Sequence, residues 1–398
     1  MKLAATNSFI RNYVEIDLRK IRENIMEIRR TVSEQCKILF VLKANAYGHG
    51  SVACARDAEN FVDWFAVASF EEAKELREAG IVKGILVFGP VDDSCFSYCS
   101  RHDITLTVFS NIYASHLIDY CSRNQLEINI HIEIDTGLNR LGFRYRGPES
   151  NETLHFLHSL VSNQFLRVTG IYTHFSCADT NDSDCRAFTE QQFRYFTSVC
   201  SDLQLSNKNN VIRHCCSSGG IIFHPDKHLD MVRTGMLPLG QLPLSLMDCK
   251  GYSPVLRWFG TIIDVKILPK NETISYNRSF QIKTSKKIIT VSIGYGDGYH
   301  RAFSNKTKAI YRGHYLQQVG NIGMDMCMFD ATEVEKVIIG ERIIVLGEIN
   351  DKSIHVRELA NLINGVNGEV TASISARVPR VFINEKAVQE KCGQGDAI

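Results

Sequence analysis

Residues 37–69 read KILFVLKANAYGHGSVACARDAENFVDWFAVAS: two short apolar runs, KILFVLK (37–43) and WFAVAS (64–69), with a stretch of helical length between them. The rhythm continues through ILVF (85–88), ITLTVF (104–109), INIHIEID (128–135), LRVTGIYTHF (166–175), VIRHCC (211–216) and HLDMVRTGM (228–236). Short β-branched runs alternating with helix-period stretches are what successive strand–helix units produce. The segment after Phe70, EEAKELREAG, opens on Glu71 and Glu72 and closes on Gly80, as a helix with an acidic first turn and a glycine stop does. Phe193, Phe196, Cys200 and Leu203 recur at helical spacing. Eight such units predict an α/β chain whose first domain is a (β/α)8, TIM-like barrel. An open doubly wound sheet has the same rhythm, and periodicity alone does not separate the two.

Past residue 245 the texture changes. SPVLRWFGTIIDVKIL, KKIITVSIGYGDG, YLQQVGNIGMDMCMF and ERIIVLG are runs joined by turns that carry glycine and asparagine, with few helical stretches. The expected organisation is a barrel over 1–245 followed by a mainly β domain over 246–398. One helix is predicted at 355–364, with His355, Leu359 and Leu362 facing inward. The run YVEID (13–17) precedes the barrel and fits either domain, so residues 1–17 are open to packing with the β domain.

Composition excludes several classes. With 398 residues, 44% hydrophobic and 22% charged, the chain is long and apolar enough for more than one core. Lys+Arg 45 against Asp+Glu 44 leaves a formal charge of +1, which provides no field for nucleic acid. No apolar run approaches the roughly 20 residues that span a bilayer, and MKLAATNSFIRN lacks a secretory hydrophobic segment, so a cytoplasmic, membrane-free protein is expected. A periplasmic location stays open if a signal peptide has been removed. The 13 cysteines form no CxxC pair and no ligand-like spacing with histidine; they read as mostly buried, reduced thiols, with no metal site.

In a barrel the chemistry sits at the C-terminal ends of the strands. There the sequence places Lys43, then Arg140 beyond Asp135, His174, the turn Ser217-Ser218-Gly219-Gly220, and Arg233 with Gly235. A lysine with a buried stem and its amine at the barrel mouth has a lowered pKa and can attack a carbonyl; the same position also suits a snorkelling or ion-paired lysine. Glycine-rich turns after the seventh and eighth strands let backbone N–H groups converge on an anion, or are simply tight turns. An aldehyde-seeking lysine beside a phosphate site describes pyridoxal 5'-phosphate, and a small-molecule substrate.

The residues also carry a resemblance. VLKANAYGHG is similar to the cofactor-lysine motif of the alanine racemases, and DTGLNRLGF, GIYTHFSCAD, VRTGM, ISYNRSF, IGYGDGYHR, GMDMCM and ARVPR follow in that family's order. The resemblance implies a pyridoxal-phosphate-dependent amino-acid racemase, an isomerase working as a homodimer with sites shared between subunits. Its D-amino-acid product is of the kind used for peptidoglycan precursors. Lys43 would carry the cofactor and act as base on one face, while Tyr276, from the other subunit, acts on the opposite face. A racemase needs two bases because the proton removed from one side returns on the other. His174 and Arg233 would position that tyrosine, and Arg233 would also hydrogen-bond the pyridine nitrogen. Tyr47, Ser218, Gly235 and Met236 match phosphate contacts. Arg140 and the backbone N–H of Met324 match contacts to the substrate carboxylate, with Arg140 also near the cofactor's phenolic oxygen; Tyr295 and Asp325 match the access corridor.

Three positions depart from that pattern. Glu133 stands where many members carry a carbamylated lysine, seven residues before Arg140, and is expected to orient Arg140 through its carboxylate. Ala376 replaces a tyrosine that contacts phosphate and walls the pocket, and Gly323 stands where cysteine or serine is frequent. A larger pocket follows, admitting serine or longer side chains beside alanine. The competing readings are a two-domain pyridoxal-phosphate decarboxylase, disfavoured by Arg233 in place of a carboxylate, and a non-catalytic pyridoxal-phosphate-binding barrel, disfavoured by the second domain and Tyr276.

Overall fold

The computed structural model describes residues 10–145, 150–205, 211–242 and 251–384. They form two compact units. One holds Ile21–Ala46 and Ser51–Tyr252; the other holds the chain up to Lys20, Tyr47–Gly50, and Ser253 onward. The domain boundary expected at 245/246 lies outside the described residues.

Strand β1 (Asn12–Asp17) and helix α1 (Leu18–Thr31) open the chain. The larger unit then runs through β2 (Lys37–Val41), β3 (Trp64–Val67), β4 (Gly84–Val87), β5 (Ile104–Val108), β6 (Ile128–Asp135), the short β7 (Phe143–Arg144), β8 (Leu166–Tyr172), β9 (Ile212–His214) and β10 (Met231–Thr234). Seven of the eight runs read from the sequence contain one of these strands, and the eighth, ILVF (85–88), overlaps β4, which begins one residue earlier at Gly84. They pair in parallel in the order β10-β2-β3-β4-β5-β6-β8-β9, with β7 alongside β6. The seam between β9 and β10 is bridged by backbone bonds, Asp230 N–H to Arg213 C=O at 3.1 Å and Arg233 N–H to Cys216 C=O at 2.9 Å. The sheet is therefore a nearly closed barrel rather than an open sheet.

Strand β6 explains how a barrel of this kind hosts polar chemistry. Ile128, Ile130, Ile132 and Ile134 alternate with Asn129, His131, Glu133 and Asp135, so one side is wholly apolar and the other wholly polar. His131 and Glu133 are buried, and His131 bonds to His214 of β9, which places the polar side in the barrel lumen. Thr107 of β5 and Tyr172 of β8 face the same lumen, their hydroxyls 3.3 Å apart. The helices between strands carry ordinary start signals. Helix Phe70–Glu78 has a complete capping box in which Ser69 and Glu72 satisfy each other's backbone N–H groups.

In the smaller unit β1 joins β11 (Leu256–Leu268), the hairpin β12 (Thr273–Ile274) and β13 (Phe280–Gln281), β14 (Lys286–Val291), β15 (Lys308–Tyr311), β16 (His314–Val319), β17 (Cys327–Asp330), β18 (Arg342–Ile349), β19 (Lys352–Ile354) and β20 (Arg380–Ile383). The main sheet runs β19-β18-β15-β16-β17-β14-β11-β1-β20, and β18 also pairs with β11. Every pairing is antiparallel except β1 with β20. The run at 13–17 thus belongs to the β sheet, where Tyr13 stacks on Phe259. The helix expected at 355–364 spans Val356–Leu362. Leu359 is buried and Leu362 half-buried, while His355, also half-buried, precedes the helix with its Nε2 3.0 Å from Ser353 Oγ. A second helix, Asn367–Ala372, was not expected.

The eleven cysteines among the described residues are free thiols, eight of them buried. Among the described residues no helix is long and apolar enough to cross a membrane.

Candidate active site

Parallel strands bring their C-terminal ends to one mouth of the barrel, and the polar residues expected there lie at those ends. Lys43 follows β2, half-buried and without a hydrogen-bond partner among the described residues. Burial lowers its pKa first, the positive charge of Arg140 lowers it further, and Glu72 opposes both. The chain beyond Lys43 does something rare: Ala44 (φ 52°, ψ 51°), Asn45 (φ 54°, ψ 48°), Ala46 (φ 52°, ψ 51°) and Tyr47 (φ 52°) are all left-handed. Such a run needs external support. Glu72 supplies part of it by accepting the Ala44 N–H at 2.6 Å and the Ala68 N–H at 2.8 Å. Ala46 N–H donates to Leu42 C=O at 2.7 Å, and Asn45 Oδ1 accepts the Ser51 N–H at 2.9 Å.

Arg233 of β10 is buried among neutral acceptors. Its NH1 donates to His214 Nδ1 at 2.9 Å, and NH2 to Thr173 C=O at 2.8 Å and His174 Nδ1 at 3.1 Å. An arginine only donates, so both ring nitrogens that face it must be unprotonated. His214 therefore carries its proton on Nε2 and donates to His131 Nδ1, 2.9 Å away. Burial, aided by the charge of Arg233, pushes His131 and His174 down to about 3 and holds His214 well below the ordinary range. The guanidinium also lies over the ring of Tyr172, 4.9 Å from its centroid. Its Nε–H has no acceptor among the described residues.

Glu133 pairs in register with Tyr172 of β8, whose hydroxyl lies 3.3 Å from Thr107 Oγ1. Arg140 lies beyond the strand end, exposed, and makes no hydrogen bond among the described residues. Glu133 attracts Arg140 and Arg233 through charge alone, while burial raises its own pKa.

At the ends of β9 and β10, Ser218 Oγ lies 3.0 Å from Thr234 Oγ1 and accepts the Met236 N–H at 3.3 Å. Gly219 is required there, since a Cβ would fall 2.7 Å from Asp179 Cα. Gly235 is buried between Thr234 and Met236. Hydroxyls and N–H groups thus converge on one corner, the donor set an anion needs.

The other expected residues belong to the smaller unit. Tyr276 lies in the β12–β13 hairpin and is 68% exposed as a residue. Gly323 abuts it: a Cβ there would lie 4.0 Å from Tyr276 Cε2. Met324 is exposed; its C=O accepts the Gly296 N–H at 2.8 Å, and its own N–H has no acceptor among the described residues. Tyr295 N–H donates to Gly323 C=O at 3.0 Å. Asp325 meets Arg377 at 3.0 Å, and Arg377 Nε also donates to the fully buried Asp297 at 2.7 Å. Ala376 is exposed beside that arginine. Tyr47, half-buried, offers its C=O to His49 Nδ1 at 3.0 Å.

Sequence reasoning did not single out Glu72 as a support of the lysine turn, nor His131, His214 and Tyr172 around Arg233, nor Asp297 and Arg377. The alternation in INIHIEID was a usable signal for His131, and the Ser69–Glu72 spacing for Glu72.

Comparison with known proteins agrees with this geometry. The family model "Alanine racemase, N-terminal domain" matches residues 16–243, and "Alanine racemase, C-terminal domain" matches 255–382. The chain is 38% identical over 377 residues to the alanine racemase of Methanococcus maripaludis, covering 94% of this chain and 98% of that one. It is 35% identical to alanine racemase 2 of Caldanaerobacter subterraneus, covering 93% and 94%. Among solved structures, the alanine racemase of Bacillus anthracis superposes with a TM-score of 0.87 at 29% identity, covering 96% and 97% of the two chains. The chain belongs to the alanine racemase family, the pyridoxal-phosphate-dependent amino-acid racemases.

Proposed function

We propose that this chain interconverts L- and D-amino acids of the alanine class by two-base proton transfer on pyridoxal 5'-phosphate, with Lys43 and Tyr276 as the two bases. The observation that carries the reading is the barrel mouth itself. A lysine amine with lowered pKa and an arginine Nε–H, neither with a hydrogen-bond partner among the described residues, and a corner of hydroxyl and backbone donors lie on neighbouring strand ends. These fit the cofactor's aldehyde, ring nitrogen and phosphate.

Lys43 would hold the aldehyde as an imine, and Ser218, Gly235 and Met236, with Tyr47, would hold the phosphate. Arg233 is a permanent cation oriented by His214 and His174, so it would donate to the ring nitrogen of the bound cofactor without giving up a proton. When bound, pyridoxal phosphate withdraws electrons from the amino acid's α-carbon and so acidifies its proton. Lys43 takes or returns that proton on one face, and the Tyr276 hydroxyl does so on the other. Arg140 and the Met324 N–H hold the substrate carboxylate, while Tyr295 and Asp325 flank the route inward. The exposure of Tyr276 and Met324 in a single chain suits their use by a second copy, in a homodimer with shared sites. Gly323 leaves the edge of the Tyr276 ring open, and Ala376 removes a wall, so the pocket takes serine or a basic amino acid as well as alanine.

The test is reduction with borohydride after reconstitution with pyridoxal phosphate, followed by peptide mapping and a racemisation screen over alanine, serine, lysine and arginine. The reading expects the label on Lys43 and turnover of at least one residue larger than alanine. A label elsewhere removes the cofactor assignment, and turnover of alanine alone removes the wider pocket.

A further inference from the structure

Tyr276 sits in a five-residue loop, 275–279, between the register pairs Thr273–Gln281 and Ile274–Phe280. The backbone on both sides of it is unusual. Ser275 has φ 67° and ψ −179°, a region that only glycine enters freely, and Asn277 (φ 57°) and Arg278 (φ 50°) are left-handed. The Tyr276 side chain makes no hydrogen bond among the described residues, so where its hydroxyl can reach depends on how this backbone aims the Cα–Cβ bond.

Asn321 grips the loop from both sides. Ser275 Oγ donates to the Asn321 C=O at 2.6 Å, and Asn321 Nδ2 donates to the Tyr276 C=O at 2.9 Å. The segment bearing Asn321, just past the end of β16, is itself braced. Gly320 N–H donates to Asn305 Oδ1 at 2.6 Å, Ile322 N–H to Ser304 Oγ at 3.0 Å, and Gln318 Nε2 to Gly320 C=O at 2.9 Å. Gly320 (φ 79°) admits the close approach, since a Cβ there would fall 2.8 Å from Ser275 Cβ. Below the loop, Ile274, Ile282, Ile288 and Val319 form a buried apolar cluster that anchors the hairpin.

We propose that Ser275 and Asn321 are positioning residues for racemisation: a clasp that holds a strained loop in the one conformation that presents the Tyr276 hydroxyl. The proposal rests on the reading of Tyr276 as the second base. A backbone conformation that a serine would not choose persists only where its surroundings over-determine it, and this clasp is that surrounding. A proton-transfer group must be placed within a fraction of an ångström, which an unclasped, exposed tyrosine would not achieve.

The experiment uses the holoenzyme and measures α-hydrogen exchange in D2O separately from each enantiomer of alanine, together with racemisation. Tyr276→Phe first identifies the enantiomer whose exchange depends on the phenol. Asn321→Ala and Ser275→Ala should then lower exchange from that enantiomer by roughly ten- to hundred-fold while the other stays within about twofold, because only one base is misplaced. A general structural lesion would lower both equally, and that result, or no loss at all, overturns the clasp. If Tyr276→Phe leaves both exchanges intact, the base assignment fails and the proposal with it. A second readout needs no turnover. At an ordinary φ, alanine is the more stabilising residue, so a thermal midpoint of Ser275→Gly above that of Ser275→Ala supports strain at 275, and the reverse order overturns it.

Discussion

Removing the Glu72 carboxylate should loosen the lysine turn more than it weakens the fold. Four consecutive left-handed residues, 44–47, cost about 1–2 kcal/mol each, or about 4–8 kcal/mol together, which their hydrogen bonds must offset. Glu72 accepts one of those bonds, from Ala44, while its other oxygen accepts the N–H of Ala68 just past β3, which anchors the carboxylate. Hydrogen bonds to a charged group are worth about 1.5–3 kcal/mol each, but both donors belong to exposed residues that water can reach, so the pair is discounted to about 1–2 kcal/mol. That corresponds to a roughly 5–30-fold smaller population in which Lys43 is held in place. The assay is titration of the apoenzyme with pyridoxal phosphate by absorbance, alongside racemisation. Glu72→Ala should weaken cofactor binding by that factor, and Glu72→Gln, which keeps one acceptor, by less. Loss of the Glu72 charge also removes what raises the Lys43 pKa, so the pH dependence of imine formation should move down. Cofactor affinity unchanged in both variants would refute the argument that this carboxylate supports the turn.

Lys43→Ala should abolish both cofactor attachment and racemisation in either direction, checked by borohydride trapping; cofactor still attached at position 43 would be impossible, and racemisation at wild-type rate would remove the lysine from the mechanism. Mixing Lys43→Ala with Tyr276→Phe subunits should restore activity, because a heterodimer of shared sites contains one with both bases; no recovery after verified subunit exchange means that each chain completes its own site. Ala376→Tyr should lower the ratio of serine or lysine turnover to alanine turnover, since each added methylene is worth only roughly 1–3 kcal/mol of selection and one wall changes the sum. Stability should fall in acid. His131 and His174 titrate near 3 in the fold against about 6.5 unfolded, so the unfolded chain binds more protons between those values. Each therefore removes up to about 1.4 kcal/mol per pH unit as the pH drops through that window, and none above it. Denaturant midpoints across this range should show a shallower slope for His131→Asn, and equal slopes would contradict the neutral assignment.

The barrel was legible because its strands are buried on both sides and therefore read as unbroken apolar or strictly alternating runs. INIHIEID shows both the strand and its lumen-facing polar set without any partner being known. Lys43, His174, Ser218 and Arg233 were legible because strand ends locate a barrel's mouth. The lysine turn was not: alanine and tyrosine have no preference for left-handed backbone, and the carboxylate that supports Ala44 comes from 28 residues away. The same holds for His131 and His214, 83 residues apart, and for Asp297 and Arg377, 80 apart, whose meeting depends on strand order and loop packing. Glu133 was read only as a neighbour of Arg140; that it lies across from Tyr172 depends on register, which is invisible in a single strand. The helix at 367–372 begins after Val366 with no side-chain cap, so no start signal announced it.

The most direct test of two bases on opposite faces is α-hydrogen exchange by Tyr276→Phe in D2O, followed from pure L-alanine and pure D-alanine in separate experiments. The account predicts that one enantiomer still exchanges its α-hydrogen, without inversion, through Lys43, while the other does not exchange and racemisation is lost. Exchange of both enantiomers with racemisation at the wild-type rate would contradict it.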